Sequence, residues 1–327
     1  MKLPSLIRII AAVSLAAASI AAAGAERNVS ISRPWGDIRG TLSTPAADSG
    51  TAVLIIAGSG PTDRNCNSSL NLRTDAFVHL ARLFDSLGMA SLRYDKRGIG
   101  ASRCDEMDFD RLRLDDYIDD AAACVAWLHG EGFRRVIVAG HSEGSCIALA
   151  VAAEAPDEVD AVISLCGAGC TMDRTLQIQL ARQLTAHDPG MLLDALRIIS
   201  RIKAGEHVPA EEVPKPLRGL FNDTTQSFLH SAMEERLDPQ RLIRRTTCPV
   251  LIVGGELDIQ ISASDAEALH AARPDARKVI VDRMAHTLKE ASSADMAHQM
   301  TSVYINPSLP LSEGLRRAIT EFANDIP

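Results

Sequence analysis

The sequence predicts an α/β fold: a mainly parallel sheet with helices on both faces and a helical insertion late in the chain. Three observations predict it. From residue 51 to 166, short apolar runs alternate with stretches of helical periodicity, the pattern of consecutive strand–helix units. The runs are continuously apolar, as in Thr-Ala-Val-Leu-Ile-Ile-Ala at 51–57, which suits strands buried on both faces. From about Thr171 to Arg245 the alternation stops, and only helical patterns remain.

The elements follow in order. The chain opens Met-Lys-Leu-Pro-Ser-Leu-Ile-Arg, runs apolar from Ile9 to Ala23, and reaches Ala23-Gly24-Ala25. A basic start, a short apolar region and a small-residue end form a secretory signal peptide. Cleavage is expected after Ala25, with export to the periplasm or beyond. The apolar run is too short and too weakly apolar to span a bilayer, so no stable membrane anchor is expected. Residues 26–327 then form one domain. Asn28 to Ser32 and Asp37 to Ser43 alternate about Arg-Pro-Trp-Gly, a hairpin signature. The strand at 51–57 ends in Gly58-Ser59-Gly60-Pro61. Thr74 to Leu87 has Phe77, Leu80, Ala81 and Phe84 on one helical side and stops at Gly88. Ala90 to Tyr94 is a strand, Leu114 to His129 a helix, Arg135 to Ala139 a strand, and Ala161 to Cys166 another. The insertion shows helices at Thr175–Ala186, Met191–Ala204 and Ser227–Arg236. The sheet resumes at Pro249–Val253, followed by a helix at Ala263–Ala272, a strand at Lys278–Asp282 and a last helix at Ser312–Asn324.

Composition narrows the function. The chain carries 34 basic and 42 acidic residues, a net charge of −8. Loss of residues 1–25 removes Lys2 and Arg8 and leaves 32 basic against 42 acidic, or −10. That balance offers no electrostatic footprint for nucleic acid or an anionic membrane. Seven cysteines are present in a chain expected to be exported. Cys124, Cys146 and Cys166 sit in helix or strand patterns as small buried residues. Cys66 and Cys104 lie in loops after successive strands, where one sheet edge brings them together, and a Cys66–Cys104 disulfide is expected. No cysteine spacing matches a zinc site.

The organising stretch is Val136-Ile-Val-Ala-Gly-His-Ser-Glu-Gly-Ser145. A strand breaks at Gly140 and Gly144 around Ser142, and a helix follows. Strand, sharp turn with a central serine, helix is the G-x-S-x-G arrangement that lifts a nucleophile clear of a sheet. A serine hydroxyl reacts only when a base takes its proton, and that base needs an orienting carboxylate. Glu256 and Asp258 both follow the Pro249–Val253 strand, and His286 follows the Lys278–Asp282 strand. Open α/β sheets place their sites at such C-terminal strand ends. His270 lies inside a helical pattern, and His298 lies well past the last strand. The developing oxyanion needs two amide donors. One is expected at Glu143, and the other in the loop after 51–57, at Ser59 with Gly60 as the alternative. His141 points away from the nucleophile and reads as structural.

Ala57-Gly-Ser-Gly-Pro-Thr-Asp-Arg-Asn-Cys-Asn-Ser68, Leu92-Arg-Tyr-Asp-Lys-Arg-Gly-Ile-Gly100, Gly140-His-Ser-Glu-Gly144 and the closing acid and histidine together resemble the α/β-hydrolase superfamily. The branch they resemble is that of bacterial esterases close to the serine aminopeptidase S33-like group. The resemblance covers nearly all of residues 30–325. It implies the α/β-hydrolase fold with a helical lid at about 171–245, hydrolysis of a small-molecule ester or related acyl compound, and no cofactor or metal. It favours Asp258 over Glu256 and gives the triad Ser142, Asp258 and His286. One departure is Cys66, where a glycine is expected, which points to a reshaped pocket rim. Asp63 and Arg64 either line the pocket or pair with each other to brace the loop. Asp95, Arg97 and Gly98 shape the turn after their strand. Two alternatives remain open: a peptidase acting on short peptides, which needs an acidic group for the substrate amine, and a catalytically silent binding protein on the same fold. Glu211, Glu212, Glu234 and Glu235 of the insertion are the carboxylates that sequence leaves unplaced.

Overall fold

The computed structural model describes residues 24–104 and 107–326. All but the last two residues of the expected signal peptide lie outside them. The strands are β1 (Ala25–Arg33), β2 (Gly36–Thr44), β3 (Thr51–Ile56), β4 (Asn67–Ser68), β5 (Leu72–Arg73), β6 (Ala90–Tyr94), β7 (Arg135–His141), β8 (Ala161–Leu165), β9 (Val250–Gly255) and β10 (Arg277–Val281). The helices are α1 (Ala76–Ser86), α2 (Leu114–Gly130), α3 (Glu143–Glu154), α4 (Met172–Leu184), α5 (Pro189–Lys203), α6 (Asp223–Ala232), α7 (Pro239–Arg245), α8 (Ala263–Ala272), α9 (Met296–Ser302) and α10 (Glu313–Asp325).

Eight strands form one sheet in the order β1-β2-β6-β3-β7-β8-β9-β10, and β4-β5 is a separate two-residue ladder. β1 and β2 pair antiparallel, as do β2 and β6; all later neighbours are parallel. The apolar runs explain the layering. Alternate residues of β3 face opposite ways: Ala52, Leu54 and Ile56 join the core beneath α2 and α3, and Val53, Ile55 and Ala57 join the core beneath α1 and α10. Both faces are therefore dry, and a continuous apolar strand is the only kind that suits them.

Helices α4 to α7 fill the gap between β8 and β9. α4, α5 and α6 share a core of their own, with Leu176, Ile198, Ile199, Ile202, Phe221 and Leu229 at its centre. The helix expected at Ser227–Arg236 begins earlier, at Asp223, and ends at Ala232. α7 and α9 were not apparent in the sequence. Each is seven residues long and starts at an aspartate, Asp238 or Asp295, whose side chain accepts from the backbone at Gln240 or His298. Capping, not apolar periodicity, sets them, and a helix that short shows no stripe.

The expected Cys66–Cys104 disulfide does not form; all seven cysteines are free. The chain after β3 folds inward, and Cys66 packs in the core with Phe77 and Leu80 of α1. β6 lies beside β2, so the chain leaving it runs toward the β1–β2 turn, where Cys104 sits against Gly36. The two loops leave their strands toward different neighbours.

Candidate active site

Ser142 stands where β7 turns into α3. Its backbone is held at φ 54 and ψ −120, a conformation that costs a non-glycine residue energy and that surrounding structure must impose. The imposition is visible. The Ser142 amide donates to Leu165 O on β8 at 2.9 Å, and the Ser145 amide donates back to Ser142 O at 2.9 Å. Gly140 and Gly144 are needed for closeness. A Cβ on Gly140 would lie 2.0 Å from Gly144 O, and one on Gly144 would lie 2.4 Å from Ile56 O. The helix thus starts directly against the ends of β3 and β7.

β9 and β10 end beside this turn. The loop after β9 supplies Asp258 and the loop after β10 supplies His286. His286 Nδ1 donates to Asp258 Oδ2 at 2.8 Å, with both side chains buried. Asp258 Oδ1 also accepts from the amides of Gln260 at 2.8 Å and Ile261 at 2.9 Å. Burial pushes the Asp258 carboxyl up, but the charge of His286, its hydrogen bond and these two amides outweigh that and hold it below its ordinary value. An ionised acid fixes the His286 ring with Nε2 as its free nitrogen. Among the described residues no hydrogen bond joins Ser142 Oγ to His286 Nε2, a looseness common before a substrate closes such a site. Glu256, the competing acid, is exposed and accepts from the Arg283 amide. His270 and His298 bond to Ala276 O and Ser292 Oγ, away from the site.

Two side chains beside the pair have partners there that the sequence did not name. His141, read as structural, donates from Nε2 to His286 O at 2.7 Å, and the two rings pack 4.7 Å apart. It therefore braces the histidine loop against the serine turn. Burial, aided by His286, brings its pKa down to about 3, so it is neutral. Cys166, directly after β8, places its thiol within 4.8 Å of the Asp258 and His286 ligating atoms. Burial and the Asp258 carboxylate push its pKa well above the ordinary value, so it faces that acid as a neutral thiol. Its position one residue past a strand that borders the serine strand was the available signal.

Ser142 opens into a cavity of about 620 Å³. Helices α4 and α6 wall it with Leu176, Phe228 and Leu229, while Ile99, Leu114 and Tyr117 close the sheet side. Ser59, Gly60 and Glu143 line it near the serine. Among the described residues, the Ser59, Gly60 and Glu143 amides make no hydrogen bond. The Gly58 end of the loop touches the serine: a Cβ there would lie 3.0 Å from Ser142 Cβ. Among the described residues, Lys96 and Glu143 are the only charged residues in the wall, and they pair at 3.0 Å.

The neighbouring loop residues brace, with other partners than expected. Asp63 accepts from the Asn65 and Asn67 amides, and Arg64 pairs with Asp95 at 2.7 Å and not with Asp63. Arg97 bonds Asp116 and Asp120. Cys66 has φ 67, the left-handed backbone a glycine would favour, but its side chain is buried and does not reach the cavity rim. Burial pushes that thiol up to about 12.

The strand order, the parallel core and the strained serine turn define an α/β-hydrolase. The chain belongs to the family described as serine aminopeptidase, S33, which it matches over residues 70–290. It is 27% identical over 218 residues to Esterase EstD of Thermotoga maritima, an alignment covering 66% of this chain and 48% of that protein. The chain thus spans about half the length of that relative. Among solved structures, the proline iminopeptidase of Mycobacterium smegmatis superposes with a TM-score of 0.59 at 14% identity, covering 91% of this chain and 98% of that one. Est1E from Butyrivibrio proteoclasticus, solved with ferulic acid bound, superposes with a TM-score of 0.58 at 18% identity, over 91% and 98%. At these identities the superpositions speak to fold alone. The chain therefore has the α/β-hydrolase fold and belongs to the S33 family.

Proposed function

We propose that the protein is an exported serine carboxylesterase acting on uncharged esters with small to medium acyl groups. The observation that carries this reading is the buried Asp258–His286 pair delivered beside a strained Ser142 that opens into an apolar cavity. Ser142 Oγ attacks the ester carbonyl as His286 Nε2 takes its proton, with Asp258 holding the ring and stabilising the imidazolium. The amides of Glu143 and Ser59 receive the oxyanion. The alcohol leaves with the proton from His286, and water activated by the same nitrogen releases the acyl group. Helices α4 and α6 act as a lid whose apolar face accepts the acyl chain.

The cavity also bears on the peptidase alternative. A substrate ammonium needs a free carboxylate, and among the described residues the single carboxylate in the wall, Glu143, is neutralised by Lys96. Glu212, Glu234 and Glu235 pair with Arg201, Arg113 and Lys203 and lie outside the wall. A volume of about 620 Å³ is ordinary for a small-molecule site, roughly 300–1,000 Å³.

The test is p-nitrophenol release across acetyl to dodecanoyl esters by wild type and Ser142→Ala. Turnover that depends on Ser142 and peaks at an intermediate chain is the expected result. Hydrolysis of aminoacyl amides in preference to all esters would sink the esterase reading. N-terminal sequencing of exported protein tests cleavage after Ala25.

A further inference from the structure

Lys96 is the residue that the catalytic reading leaves unexplained. It follows β6 in the loop Asp95-Lys96-Arg97, and it is buried, with 1% of its side chain exposed. A lysine is rarely buried so fully unless its three N–H donors are met. Here they are. Nζ donates to Gly58 O at 2.6 Å and to Glu143 Oε1 at 3.0 Å, and it lies 4.8 Å from the centre of the Tyr117 ring.

The first two partners belong to the two arms of the oxyanion site. Gly58 O and the Ser59 N–H are the two ends of one peptide group. That group is planar and trans, so its carbonyl and its N–H point in opposite directions. Pinning Gly58 O on Lys96 therefore fixes the direction of the Ser59 N–H. Glu143 is the first residue of α3, and its own N–H is the other donor. Its carboxylate, 3% exposed, is carried by the same residue as that donor and lines the cavity wall. Left unpaired, it would oppose the negative charge that develops on the substrate oxygen. Lys96 cancels it.

We propose that Lys96 is the positioning residue of the oxyanion site, setting the Ser59 amide through Gly58 O and neutralising Glu143. It acts through these groups and does not touch the substrate oxygen. The inference rests on the serine-hydrolase reading above.

Lys96→Met, Glu143→Gln and the double variant separate the two tasks. The readouts are kcat and KM on p-nitrophenyl hexanoate and the rate at which a fluorophosphonate labels Ser142. Labelling needs the oxyanion site but no particular ester. Lys96→Met frees the carbonyl and leaves a bare carboxylate. It should lower kcat and the labelling rate by about 10- to 100-fold, below the 10²–10³ of deleting a donor outright, with KM within about 3-fold. Glu143→Gln keeps the carbonyl pinned and should lose at least about tenfold less. A role in packing alone predicts the opposite symmetry, since each single variant leaves one buried charge unpaired. Equal losses in the two single variants would overturn the proposal, as would a rise in KM with kcat unchanged. If Lys96→Met does not fold, the double variant, which has no net buried charge, tests the carbonyl contact by itself. Wild-type labelling by the double variant would overturn the proposal. Wild-type protein that neither labels nor hydrolyses would bring down the serine-hydrolase reading and this inference with it. Slow labelling confined to Lys96 variants of an active enzyme is the supporting result.

Discussion

Lowering the pH should destabilise this protein through His141 before most carboxylates are protonated. The ring is buried at 5% exposure, shares its Nε2 proton with His286 O, and has no partner on Nδ1 among the described residues. Its pKa falls from an ordinary 6.5 to about 3, chiefly by burial and then by the neighbouring His286. In the unfolded chain it takes up a proton near its ordinary value. A histidine whose folded pKa is depressed makes the unfolded state the better proton binder. Stability is therefore intact above 6.5 and declines as pH falls through the window from 6.5 toward 3. Each unit costs about 1.4 kcal/mol, so the loss between pH 7.5 and pH 5 is about 2 kcal/mol. That figure holds for any folded value well below 5. The assay is urea unfolding at both pH values for wild type and His141→Gln, which keeps a donor but does not titrate. At a slope of about 3 kcal/mol per molar urea, the wild-type midpoint should fall by about 0.7 M more than that of the variant. Equal shifts in the two proteins would refute the reasoning.

Further outcomes are expected. Asp258→Asn should lower kcat/KM by about 10³- to 10⁴-fold, because the amide no longer holds the His286 tautomer; steady-state kinetics on the best ester decides, and a loss below tenfold would move the acid elsewhere. Lys289 is buried with Nζ on Thr74 O and Asn306 O, and burial brings its pKa from 10.5 down to about 8. Its charge therefore opposes folding below about 8, and the opposition lifts as pH rises toward 10.5. Wild-type stability should accordingly gain on Lys289→Gln between pH 7 and pH 10 in the same urea assay; a constant difference would contradict this. Denatured, unreduced protein should titrate as seven thiols, and five would restore a disulfide.

Much of the scaffold was legible because its signals are local. Ala90–Tyr94 and Ala263–Ala272 match the sequence reading at both ends. A strand buried on both faces must be apolar throughout, and a parallel strand must be followed by a crossover long enough for a helix. The serine turn was legible for a similar reason, since only glycines fit two residues either side of Ser142 where α3 meets β3. The capped helices α7 and α9 escaped, because one or two turns hold no periodicity to read.

The sequence by itself determined the doubly covered parallel sheet, the strained serine, and the loops from which an acid and a histidine come. The resemblance already favoured Asp258 over Glu256; the tertiary structure alone decided how that acid meets the histidine and what surrounds it. Glu256 and Asp258 are two residues apart, and only the β9–β10 pairing shows that Asp258 reaches His286. Arg64 found Asp95 in place of Asp63, and Cys66 turned into the core beside α1 while Cys104 turned to the β1–β2 turn at Gly36. His141, Cys166 and Lys96 gained their partners across 145, 92 and 47 positions of chain. Periodicity is a property of neighbours in sequence. A hydrogen bond between loops depends on where the sheet order puts their ends, and that order is set by the packing of the whole core.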